Sequence, residues 1–86
     1  MTATRAHETV LSVTYPSERR ARVVADALGP EVDEVDDARS TATVDREGDA
    51  VRVRVTADDL VALRAGVNSW SRLVAVAERV GTRRDR

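Results

Sequence analysis

The sequence of 86 residues predicts an α+β domain: a three-stranded antiparallel sheet with two helices packed on one of its faces. Three observations lead there. ETVLSVTY and AVRVRVT alternate with period two and are rich in β-branched residues, as half-buried strands are. ERRARVVADAL and the long stretch LVALRAGVNSWSRLVAVAERV repeat their apolar residues at helical spacing. A Gly-containing turn, EGD, sits between two short strand-like runs and reads as a hairpin.

The elements follow in order. Strand β1 is expected over Glu8–Tyr15, with Leu11 and Val13 pointing one way and Val10, Ser12 and Thr14 the other. Pro16–Ser17 breaks it. Ser17 is a good N-cap and Glu18 suits the positive end of a helix dipole. Helix α1, Glu18–Leu28, places Ala21, Val24, Ala25 and Leu28 on one face. Gly29–Pro30 ends it, with Gly29 expected in the left-handed cap conformation. PEVDEVDD (Pro30–Asp37) lacks the spacing of a calcium loop and reads as an acidic linker. Strand β2, Ser40–Arg46, turns Ala42 and Val44 inward. Glu47–Asp49 is the turn, with Gly48 able to take positive φ. Strand β3, Ala50–Thr56, sends Val51, Val53 and Val55 to the core and Arg52 and Arg54 away. Thr56 and Asp59 form a T-x-x-D capping box for helix α2, which runs from Leu60 to about Val80. The domain is expected over residues 7–80, with tails at 1–6 and 81–86.

The hairpin makes β3 antiparallel to β2. If β1 and β2 were neighbours, the α1 crossover would make them parallel. The simplest all-antiparallel sheet therefore has order 1-3-2, with valine-rich β3 in the centre. Such a sheet has two free edges and one open face. Free edges are blunted by charge or covered by pairing, and a homodimer that joins sheets would cover one edge per chain.

Composition narrows the function classes. A chain this short buries roughly 60–65% of its unfolded surface, so its stability is marginal. Net charge is −1, although 34% of residues are charged, and every basic side chain is Arg. No net field steers the molecule to nucleic acid or to a membrane. There is no Cys, so no disulfide framework and no thiolate chemistry is expected. The first residues lack a signal-peptide core, and no apolar run reaches membrane-spanning length. A cytoplasmic location is expected. His7 is the single His, there is no Lys, and the four Gly are scattered, so no phosphate loop forms. No catalytic residue, metal site or cofactor is expected. With no Phe, one Tyr and one Trp, an aromatic base-stacking sheet cannot be built.

The last helix carries more apolar surface than one stripe requires. At 100° per residue, Leu60, Leu63, Val67, Trp70, Val74 and Ala77 fall within about 100° of one another, enough to cover the sheet. Ala62, Ala65, Gly66, Ser69, Leu73, Val76 and Val80 fill an adjoining arc of similar width. Arg64, Asn68, Ser71, Arg72 and Arg79 take the remainder. Helix α1 shows a weaker excess at Val23 and Ala27. The second arc either packs only on α1 or offers an intermolecular surface. Two helices on a narrow sheet cannot easily hide all these positions, so Val23, Ala27, Ala62, Ala65, Gly66, Ser69, Leu73 and Val76 are expected to form a partner-binding helical face. Arg52 and Arg54 on the open sheet face are either solvated or available to phosphate. Arg64 and Asn68 lie one turn apart on the polar edge of α2, as surface residues or as contacts to protein or RNA.

Two stretches carry a resemblance. LRAGVNSWSRLVAVAE (Leu63–Glu78) is similar to the terminal helix of the Pcc-type small subunit of the KEOPS complex, with Arg, three residues, Asn-Ser and a hydrophobic run. ARVVADALGPE (Ala21–Glu31) resembles that family's first helix and the break after it. With the hairpin between them, the resemblance covers about residues 8–80. It implies a noncatalytic dimerisation subunit of an assembly that attaches threonylcarbamoyl to the adenosine beside the anticodon of tRNAs reading ANN codons. It implies a homodimer, and a separate ASKHA-fold transferase whose N-terminal helices dock on the subunit's two helices. It also implies support of tRNA binding, with no cofactor of the subunit's own. Arg64, Asn68 and Ser69 match the family motif, and Arg52, Arg54 and Arg64 are candidates for RNA contact. Polar Ser71 departs from the larger residue expected there. The competing reading is a free-standing RNA-binding domain acting through Arg52, Arg54 and the tail arginines Arg83, Arg84 and Arg86.

Overall fold

The computed structural model describes residues 6–32 and 39–84, with the backbone alone over 81–84. Its elements are β1 (His7–Thr14), α1 (Glu18–Leu28), β2 (Ser40–Glu47), β3 (Ala50–Ala57) and α2 (Leu60–Arg84). The sheet is antiparallel in the order β1-β3-β2. Both helices lie on one face: α1 rests on α2 and on β2 and β3, while α2 lies chiefly over β3 and β1. The α+β class, the strand order and the one-sided helices agree with the pattern of the sequence.

Central β3 shows why. Val51, Val53, Val55 and Ala57 are buried, whereas Arg52 and Arg54 alternate to the other face. From the helices, Ala21, Val24 and Leu28 of α1 and Trp70 and Ala77 of α2 meet them. Trp70 is the largest fully buried side chain. In a core without Phe, its ring fills the volume between α2 and the sheet that Val and Ala leave open.

Local signals hold at some boundaries and shift at others. Ser17 caps α1 by accepting the Arg20 N–H at 3.1 Å. The hairpin loop has two residues rather than three, because Glu47 pairs with Ala50. Gly48 takes φ 61°, the left-handed region that the tight turn requires at this position. Gly29 corrects an expectation: it is right-handed (φ −51°, ψ −53°), and its N–H donates to the Ala25 carbonyl. Without a Cβ it tolerates α geometry before Pro30, and Glu31–Val32 form a further helical turn. Most of the acidic linker lies outside the described residues.

The start of α2 is a second correction. Thr56 belongs to β3 and its hydroxyl meets that of Thr41 at 3.0 Å. Asp59 is the cap: its Oδ1 accepts the Ala62 N–H at 2.7 Å and its carbonyl accepts the Leu63 N–H at 3.0 Å. At the other end the helical backbone continues past Val80 to Arg84. A glycine inside a helix costs only about 1 kcal/mol, and arginines in a last turn suit the negative end of the dipole.

Candidate partner-binding surfaces

The expected helical face divides. Ala62 and Gly66, expected on the partner-binding arc, are buried inside this chain. A Cβ built on Gly66 would lie 2.9 Å from Val55 Cγ1, so the small residues bring α2 down onto β3. Leu60, expected to cover the sheet, is 60% exposed instead. The sheet-facing stripe is thus rotated from the large residues towards the small ones. Ala65 and Val76 remain exposed, and Val23, Ala27, Ser69 and Leu73 are half-buried. Val76 is 51% exposed and Val61, not singled out in the sequence, 71%. A cleft lined by Val61, Ala62, Ala65, Gly66 and Ser69 of α2 with Arg39 and Ser40 adjoins this face. Arg64 and Asn68 are exposed on the same helix.

Arg39 also holds the cleft's rim. Its Nη2 lies 2.7 Å from Asp59 Oδ2, and Asp58 N–H donates to the Arg39 carbonyl at 3.0 Å. The Ala62 N–H first, and then the Arg39 guanidinium, hold the Asp59 carboxyl below its ordinary pKa. One carboxylate therefore ties the entry of β2 to the first turn of α2.

A second surface was not anticipated. Val10, Leu11, Ser12 and Val13 of edge strand β1 line a groove with Ser71, Val74, Ala75 and Glu78 of α2. Val10 is 44% exposed. The residues from Thr9 to Thr14 carry no charge, so this edge lacks the usual protection against pairing. The opposite edge, β2, carries Asp45, Arg46 and Glu47 in its second half. Ser71, the polar departure in the terminal helix, lies in this groove. Tyr15 anchors the groove's carboxylate: its hydroxyl donates to Glu78 Oε2 at 2.8 Å. Burial first, then the Glu78 carboxylate, push the Tyr15 pKa up and keep the hydroxyl a donor.

On the open sheet face the arginines have intrachain partners. Arg52 lies 3.3 Å from Asp45 and 3.5 Å from Glu47, and Arg54 lies 3.4 Å from Glu8. Two guanidinium groups thus face three carboxylates, and the patch is not basic. The tail arginines of the competing reading have no described side chains. Among the described residues no helix is long and apolar enough to cross a membrane. None of their His, Asp or Glu side chains form a group of three or more that could hold a metal ion.

Among curated proteins no match is found. A chain in a crystal structure described as the binary complex Gon7-Pcc1 superimposes with a TM-score of 0.78 at 20% identity, covering 90% of this chain and 94% of that one. At that identity the likeness speaks for the fold. The family model described as "Transcription factor Pcc1" matches residues 8–81. That range takes in all five elements save the first residue of β1 and the last three of α2, and so the chain belongs to the Pcc1 family, the Pcc-type subunits of KEOPS.

Proposed function

We propose that the chain is a noncatalytic assembly subunit of a cytoplasmic KEOPS complex. It forms a homodimer through the β1 edge and docks the helices of an ASKHA-fold transferase on the exposed face of α1 and α2. In doing so it brings two transferase copies together and supports their hold on tRNA. Family membership supports the KEOPS assignment. The observation that carries the docking role is the apolar excess of α2 left after folding, with Val61, Ala65 and Val76 exposed beside half-buried Ser69 and Leu73. Small residues let a foreign helix approach closely, and apolar patches rimmed by polar residues mark interfaces. Arg64 and Asn68 supply such a rim. The β1 edge is the better dimer edge because β2 is blunted by charge. The free-standing RNA-binding reading is weakened by the carboxylates that engage Arg52 and Arg54.

Affinity purification of the tagged chain from its native cells tests this reading. An ASKHA-fold transferase is expected in the eluate at comparable stoichiometry. Recovery of the chain with RNA and without a transferase would overturn it.

A further inference from the structure

The backbone of β1 restricts how a second copy can add to its edge. The Tyr15 N–H donates to the Asp49 carbonyl at 2.9 Å, and this pair continues the β1–β3 register. Odd-numbered residues of β1 therefore exchange hydrogen bonds with β3. Even-numbered Glu8, Val10, Ser12 and Thr14 turn their N–H and C=O groups to the free edge. A twofold-related β1 must bond even residues to even residues, which excludes half of all registers. Two of those remaining keep the greatest overlap: one centred on Val10, the other on Leu11. In the first, the partner's copy of residue 7 falls opposite Val13. In the second it falls opposite Tyr15. Both placements are on the helix-facing side of the sheet, at the end of the groove where Glu78 stands.

We infer that, in the homodimer, His7 of each copy meets Glu78 of the other, so that this imidazole–carboxylate pair is a recognition contact at both ends of the β1–β1 seam. The inference rests on the homodimer reading above. His7 is half-buried and belongs to the helix-facing set of β1. Cross-strand neighbours on one face stand about 5 Å apart at Cβ, which brings the ring within reach of a carboxylate anchored by Tyr15. Glu78 is the one acidic residue lining the groove, and His7 is the only basic residue of β1.

The test is a charge swap read by sedimentation equilibrium of the full chain. His7→Glu and Glu78→Arg are each expected to weaken the dimer about threefold to tenfold, and the double variant to restore it to within about twofold. Thermal unfolding of each variant separates dimer loss from misfolding, and Tyr15→Phe shows what loss of the intrachain anchor does alone. A wild-type dimer indifferent to both single variants would overturn the contact and leave the homodimer standing. Single variants that weaken the dimer without rescue by the swap would also overturn it. A wild-type chain that stays monomeric would sink the homodimer reading itself.

Discussion

Gly66 of α2 stands over Val55 of β3 so closely that a methyl group at Gly66 would lie 2.9 Å from Val55 Cγ1. Helix propensity alone favours Gly66→Ala by about 1 kcal/mol. Overpacking against a stiff β-branched side chain opposes it by about 1–3 kcal/mol. Gly66→Ala is therefore expected to lower stability in urea unfolding. Adding Val55→Ala should recover part of that loss, because the two positions share one space. A more stable Gly66→Ala protein would show that α2 is free to lift from the sheet.

Tyr15 and Glu78 give a second expectation. Their hydrogen bond joins the end of β1 to the last turns of α2 across 63 positions of sequence. Tyr15→Phe removes the donor and keeps the ring, so a loss of about 1–2 kcal/mol is expected. Equilibrium unfolding measures it. No change would mean that water replaces the hydroxyl without penalty.

Acid should act through Asp59. Its carboxyl is held below the ordinary value by the Ala62 N–H and by Arg39. A carboxylate with a depressed folded-state pKa contributes stability above its unfolded value, near pH 4, and loses it as pH falls through the folded value. Asp59→Asn keeps a capping oxygen and removes the titration. The melting temperature of the Asn variant is expected to fall less than that of the wild type between pH 5 and pH 2. Parallel acid profiles for the two proteins would contradict that.

For the sheet arginines, little effect is expected. Arg54 is exposed and Arg52 half-buried, both are bridged to acids on the same face, and such pairs contribute about 0–1 kcal/mol. The double variant Arg52→Ala, Arg54→Ala should fold with nearly wild-type stability. It should also leave any tRNA affinity of the assembled complex, and its salt slope, unchanged in filter binding. A salt slope lower by about 2 would place both side chains on phosphates.

How much of this was legible in the residues depends on the kind of constraint. Period-two valines at 51, 53 and 55 and the Gly48 turn made the order 1-3-2 the simplest sheet, and that sheet is present. The side of α2 that meets the sheet was harder. A helical wheel ranks arcs by the size of their residues and so favoured Leu60, Leu63 and Val67. Contact with the sheet selects partly for close approach, which Ala62 and Gly66 permit and Leu60, at the end of the helix, does not provide. Thr56 resembled a cap because its spacing to Asp59 was right, but the β3 ladder already held it. The groove along β1 left only a faint trace, the uncharged run from Thr9 to Thr14. Its other wall comes from residues 71–78, which no local pattern brings beside it.

The proposed docking role is tested most directly by one measurement: light scattering after size exclusion of the chain mixed with an ASKHA-fold transferase from the same cells. Wild type is expected to elute with two transferase copies bound to a dimer of the chain. Ala65→Arg and Val76→Arg, both on exposed positions of α2, should leave the isolated dimer intact and remove the transferase from it. If both variants held the transferase as the wild type does, the exposed face of α1 and α2 would not be its docking site.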